Sequence, residues 1–302
     1  MIAASLACPA CSRDFSDVAQ DGSGAVRAVL EATSDPDRPD RHGDAMIHVA
    51  ALLSDPPMLS VVIARGVQID QRNRNDMTAL GIAVDQSCLP CALELLQAHA
   101  DPNATQGPRH DRPLHRAATR GSPELVEMLL DAGADPDGRN GRGETPLHAA
   151  ANADARKAVA VARALLARGA HIDATDELGE TPVHRAAERD TAELLTFYGG
   201  IGADLSAPNA WEATPLDRAL EAHGDSAAQV LYRLGAKVSW TERFEPPLLA
   251  AARVDDVERA EELLARGADP RQAFEGKSAI DVARENASAR VLAVLTDVPP
   301  RP

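Results

Sequence analysis

Thr145-Pro146-Leu147-His148-Ala149-Ala150-Ala151 decides the architecture, because the same phrase returns along the chain. It reappears as Thr181-Pro182-Val183-His184-Arg185-Ala186-Ala187, as Arg112-Pro113-Leu114-His115-Arg116-Ala117-Ala118, and as Thr214-Pro215-Leu216-Asp217. Weaker copies begin at Ala45, Thr78, Pro246 and Ser278. The apolar third position falls on Ile47, Leu80, Leu114, Leu147, Val183, Leu216, Leu248 and Ile280, at spacings of 33, 34, 33, 36, 33, 32 and 32 residues. A period of this size marks a stack of repeated helical units. A second phrase follows each copy, as in Leu129-Leu130-Asp131-Ala132-Gly133-Ala134-Asp135-Pro136, with counterparts at Gly66, His99, Gly169, Gly202, Gly235 and Gly267.

Each piece has a physical role. Thr145 can cap a helix, and Pro146 suits the first turn, where a missing N–H costs nothing. Ala149 and Ala150 let neighbouring helices approach closely. Leu129 and Leu130 give a second helix its apolar face, and Gly133 ends that helix in the left-handed region. No unit buries its apolar face alone, so the units must stack.

The period and the two phrases resemble the ankyrin repeat. The resemblance runs from about residue 13 to 296. It implies an all-α solenoid of helix-turn-helix units with projecting β-hairpin loops: eight repeats preceded by a degenerate N-terminal cap with Phe15 as anchor and Thr33-Ser34-Asp35-Pro36 as its close. The expected organisation is a tail at 1–12, the repeat domain at 13–296 and a tail at 297–302.

Two units depart from the pattern. Three extra residues lie in Asn152-Ala153-Asp154-Ala155-Arg156-Lys157, expected to lengthen the inter-helix loop. Tyr198-Gly199 stands where a Leu pair belongs, with Gly200 and Gly202 following. Glycine costs about 1 kcal/mol against Ala in a helix, so a shortened second helix and a soft spot are expected there.

Composition agrees with thin layers. The chain has 302 residues and is 44% hydrophobic, yet holds only Phe 4, Trp 2 and Tyr 2. No apolar run reaches the roughly 18 residues of a membrane span; Ala158 to Ala167 is broken by Arg163. A net charge of −15 argues against nucleic acid, which demands a basic footprint. Lys occurs only at 157, 237 and 277, an arginine bias that points to a GC-rich bacterial genome. Met1 to Ala7 lacks the basic start of a signal peptide, so a cytoplasmic location is expected; a truncated leader would make it periplasmic or secreted.

Catalytic signatures are missing from the sequence: no phosphate-binding glycine loop, nucleophile elbow or His-Glu-x-x-His. We therefore expect no enzyme and no cofactor. His48, His115, His148 and His184 sit one repeat apart, on the order of 10 Å, too far to share a metal. The resemblance implies instead that they tie neighbouring repeats through backbone groups; Gly81, Asp217, Leu249 and Asp281 replace them elsewhere, where weaker junctions are expected. Cys8-Pro-Ala-Cys11 resembles half a zinc ribbon whose second half is absent. Cys88-Leu-Pro-Cys91 lies near the start of an outer helix, where a free thiol pair, a local disulfide or a redox role all remain open.

Binding through an exposed face remains. The resemblance implies that a partner contacts loop tips and the solvent side of the first helices. On the tips these are Arg72, Arg74, Arg109, His110, Arg139, Arg142, Trp211, Arg243 and Phe244. On the first helices they are Arg116, Arg120, Asn152, Arg185, Arg189 and Arg218. Arg112, Arg116 and Arg120 follow i, i+4, i+8 spacing and share one helical face, whereas Glu124 to Asp137 on the outer side has no basic residue. Trp211 and Phe244 are candidate aromatic anchors. The expected partner is another protein, such as a toxic enzyme occluded by an immunity or inhibitor protein; the chain is expected to be monomeric when free. The alternatives are an exported effector engaging a host protein, or a redox-sensitive regulatory subunit using Cys88 and Cys91.

Overall fold

The computed structural model describes residues 33, 35–236, 247–265, 268–271, 273 and 276–297. The expectations for Phe15, Cys8, Cys11, Arg243, Phe244, Gly267 and the 1–12 tail lie outside the described residues. The chain divides into two units, Met1–Glu177 and Leu178–Pro302.

Among its described residues the first unit holds four helix pairs: α1 Met46–Leu52 with α2 Pro56–Ile63, α3 Ala79–Asp85 with α4 Leu89–Gln97, α5 Pro113–Arg120 with α6 Pro123–Asp131, and α7 Pro146–Ala150 with α8 Ala155–Ala167. First helices pack on first helices (α1 on α3, α3 on α5, α5 on α7), and second helices pack likewise. Leu80, Leu114 and Leu147 are buried with Ala83, Ala117 and Ala150 around them. That interior of Leu and Ala explains how helices of five to thirteen residues, each marginal alone, persist: packing rather than propensity holds them.

The second unit repeats the plan with α9 Pro182–Glu188, α10 Ala192–Gly200, α11 Pro215–Glu221, α12 Asp225–Arg233, α13 Pro247–Arg253, α14 Val257–Ala265, α15 Ala279–Glu285 and α16 Ala289–Thr296. Leu248, Leu249, Ala252, Leu263, Ile280, Ala283, Val291 and Leu295 form the core of its last four helices.

Two local expectations need correction. The extra residues near Asn152 extend the second helix rather than the loop: α8 has 13 residues against 9 in α6. Ala, Arg and Lys there are strong helix formers, so one more turn costs less than an open loop. Nor is the helix at Tyr198 shortened, since α10 spans nine residues like α4 and α6. The Tyr198 ring is fully buried in the Leu129 position, and Leu234 closes over Gly199, where an added Cβ would meet it at 2.7 Å. The connections between repeats form no strand among the described residues, while Gln106 and Asp111 make an isolated antiparallel bridge.

Candidate interaction surface

Four of the inter-repeat turns among the described residues are closed by an Asx side chain. Asn73 Oδ1 accepts from the backbone N–H of Asn75 and Met77 (both 3.0 Å). Asn140 does the same for Arg142 and Glu144, at 2.9 and 3.0 Å. Asn209 does so for Trp211 and Ala213, and Asp40 for His42 and Asp44. This is the Asx turn, in which a side chain takes up local N–H groups; a backbone bond also closes each of the four, from Asp40, Asn73, Asn140 and Asn209 N–H to the carbonyls of Asp44, Met77, Glu144 and Ala213.

The amide of each Asn then reaches back to the preceding tip. Asn73 Nδ2 donates to Asp44 at 2.7 Å, and Asn140 Nδ2 to Asp111 at 2.9 Å. Backbone bonds join the tips as well: Gly107 N to Asp76 O, Gly141 N to Arg109 O, Glu177 N to Arg142 O and, in the second unit, Ala210 N to Leu178 O, at 3.1, 2.7, 3.1 and 3.0 Å. The tips are thus rigidly tied before any partner arrives. The sequence reading missed these asparagines, although each stands five residues before its capping position, at 73, 140 and 209.

Beneath the tips, the repeated histidines perform the expected tie. The Nδ1 atoms of His48 and His115 accept from the backbone N–H of Ala45 and Arg112. Since Nδ1 accepts, Nε2 carries the proton, and it donates to Gln71 O at 2.9 Å and Glu144 O at 2.8 Å in the next repeat. His184 donates likewise to Ala213 O at 3.1 Å. Burial holds the pKa values of His48 and His115 below the ordinary histidine value, keeping both rings neutral. Gly81 lacks this ring, and the buried side chain of Gln106 fills the space, so close that an added Cβ would clash with it.

The expected binding residues separate into two groups. On the tips, Arg72, Arg74, Arg109, His110, Arg139, Arg142 and Trp211 are all exposed. Arg72 pairs with Asp76 at 2.7 Å, and Arg109, 58% exposed, with Asp111 at 3.1 Å. Arg139 donates to the carbonyls of Gly143 and Thr175. Arg74 and Arg142 meet no carboxylate among the described residues, and the Arg74 stem lies against the Gly43 backbone. Trp211 is half exposed, and Leu178 on the adjoining tip is 43% exposed.

On the first helices the picture differs. Arg116 and Arg120 converge on Asp85 of the preceding repeat, Arg116 in a tight ion pair and Arg120 at 3.8 Å. Arg112 does not join them. It is the N-cap residue, with extended backbone (φ −89°, ψ 161°), so helical spacing does not reach it, and it turns towards Asn103 and Asp135. Arg185, only 13% exposed, holds Glu188 at 2.6 Å and Glu180 at 3.6 Å. Arg218 shares the buried Glu180 at 2.8 Å and also binds Glu221 at 2.7 Å. Arg189 is exposed at the end of α9. Asn152 is exposed in the loop after α7, not on a first helix as expected.

Cys88 and Cys91 are joined by a disulfide at the N-terminus of α4, with Cys88 as N-cap and Cys91 buried. Among the described residues no group of three or more His, Cys, Asp or Glu is placed to hold a metal ion, and no helix is long and apolar enough to cross a membrane.

Tied turns carrying exposed side chains, over paired short helices, match the comparisons with known proteins. Models of ankyrin repeats match residues 114–209, as three copies, and residues 82–130. Together these matches cover residues 82–209, which are similar to ankyrin repeats. Similar proteins include the B-cell lymphoma 3 protein homolog of Mus musculus, 32% identical over 129 residues, 41% of this chain and 29% of that protein. The nuclear factor NF-kappa-B p105 subunit of Gallus gallus is 32% identical over 143 residues, 46% of this chain and 14% of that protein. Ankyrin repeat and SOCS box protein 11 of Danio rerio is 35% identical over 101 residues, 33% of this chain and 34% of that protein. The chain therefore spans about a third or less of these relatives. All three are vertebrate proteins, which lends no support to the bacterial origin expected from the arginine bias. Ankyrin repeats are protein-interaction modules.

Proposed function

We propose that this chain is a non-enzymatic recognition scaffold that engages one protein partner through its ankyrin turn tips. The observation carrying this reading is the contrast in side-chain employment. Arg116 and Arg218 are spent on carboxylates of the preceding repeat and Arg185 on those of its own, whereas the tip side chains project from turns already fixed by side-chain and backbone bonds. Such preorganisation lowers the ordering cost of binding. Of the candidates beyond the tips, Arg120, Arg189 and Asn152 remain exposed.

The finer assignment is an immunity or inhibitor protein that occludes a toxic enzyme in the bacterial cytoplasm, with an exported effector as the alternative. The lysine-poor, arginine-rich composition supports a bacterial source, and an acidic body bearing a cationic edge supports selective encounter. The test places a photo-crosslinking amino acid at positions 74, 142 and 211 and, as controls, at 127 and 163 on the outer helices. One partner captured from the tip positions alone is the expected result, with loss of that partner's activity marking the inhibitor. Capture only from positions 127 and 163 would move the interface to the outer helices and end the tip reading.

A second reading rests on the Cys88–Cys91 disulfide. A dithiol at a helix N-terminus has one thiolate stabilised by the helix, which suits redox regulation of the scaffold. A disulfide that persists also favours an oxidising compartment over the cytoplasm. Cys88→Ser should then abolish any response of partner binding to a thiol reductant. Unchanged responsiveness in that variant removes the redox role.

A further inference from the structure

Four consecutive tips of the first unit sort their charges by depth. The carboxylates turn inward to hold the turns: Asp40 accepts the N–H groups of His42 and Asp44, Asp44 accepts from Asn73, and Asp111 and Glu144 accept from Asn140 at 2.9 and 3.0 Å. Asp76 is consumed by Arg72. The arginines turn outward, with Arg41, Arg74, Arg109, Arg139 and Arg142 all exposed. Two of these are held in place without losing their charge. The Arg74 stem lies on Gly43, where even one added carbon would sit 2.2 Å from it, and Arg139 rests on neutral carbonyl oxygens. The row ends at the next turn, which carries Asp173, Asp176 and Glu177 and no arginine.

The geometry points to an acidic, extended protein segment lying across these four tips. Stacked helical layers are spaced about 10 Å apart, so four tips span on the order of 30 Å. An extended chain covers that distance in about ten residues. Charges separated by one tip spacing are about a Debye length apart at physiological salt, so the local arginine row, not the −15 of the whole chain, sets the field a docked segment meets. The net negative charge works against a long polyanion such as nucleic acid, which would extend beyond the row over acidic surface. This inference rests on the tip reading of the proposed function and adds the chemistry of the partner.

The probe is a fluorescein-labelled glutamate decapeptide, with binding followed by fluorescence anisotropy on the full chain. We expect saturable binding at about 0.1 M salt that weakens several-fold by about 0.5 M. Arg74→Glu with Arg142→Glu should weaken it about tenfold, and the milder Arg74→Gln with Arg142→Gln should fall between. Arg156→Glu with Arg290→Glu makes the same net-charge change away from the tips and should leave binding intact; both residues are exposed on other helices. Absence of binding, or equal loss in the control variant, overturns the inference. Equally tight binding of a single-stranded DNA of the same length overturns the assignment to a protein segment. If the decapeptide fails while position 74 or 142 still captures a partner, only the acidic chemistry falls and the tip reading stands.

Discussion

Tyr198 shows how a single side chain can be right in volume and wrong in polarity. Its ring takes the interior place that Leu129 holds two repeats earlier, yet its hydroxyl finds no hydrogen-bond partner among the described residues. Burial pushes its pKa far above the ordinary tyrosine value. A buried, unsatisfied hydroxyl costs roughly 1–3 kcal/mol, so Tyr198→Phe should stabilise the second unit by about 1 kcal/mol in denaturant unfolding. A loss of stability would mean the hydroxyl has a partner after all. Gln106 is the related case in the first unit: its amide fills the hole left by Gly81 but bonds to nothing described. The sequence announced the missing histidine at 81, but not that a residue 25 positions later would occupy its place. That distance is bridged only when the next repeat docks.

At the level of elements, α10 and the Glu180 cluster carry the sharpest tests. Gly200 faces open space and Gly199 faces Leu234, although both are helical. Gly200→Ala should therefore raise stability by about 0.5–1 kcal/mol, whereas Gly199→Ala should gain less or lose, because the new methyl meets Leu234. Equal gains from the two would show that Leu234 gives way freely. In the cluster, Glu180 is 1% exposed and depends on Arg185 and Arg218 for its charge balance. Removing one partner of such an ion strands the other, so Arg218→Ala should cost about 2 kcal/mol or more. Arg189→Ala, one turn from Arg185 but free of ion pairs among the described residues, should change stability by less than about 0.5 kcal/mol. Comparable effects at 189 and 218 would refute the cluster's structural role. The sequence placed both arginines on one list, since spacing along a helix says nothing about which carboxylate the neighbouring repeat supplies.

Across the whole molecule, the neutral histidine ties give a pH dependence whose sign follows from burial. His48 and His115 have folded pKa values below the free value of 6.5. The unfolded chain then binds more protons, so their stabilisation is complete above that value and is lost as pH falls towards the folded pKa values. The thermal midpoint should decline between about pH 7 and about pH 5, before most carboxylates titrate. Replacing both rings with Gln should flatten that part of the curve, while an unchanged slope would assign it to other groups. The sequence by itself determined the repeat, its helices, the left-handed closures at Gly133, Gly169 and their counterparts, and the histidine positions, because these are local patterns that recur every 32 to 36 residues. Only the tertiary structure decided that the extra residues near Asn152 extend a helix, that Asx side chains help close the turns, and which arginines face solvent. Those outcomes depend on partners a full repeat away: a carboxylate at 85 for Arg116, at 180 for Arg218, and none among the described residues for Arg74 and Arg142.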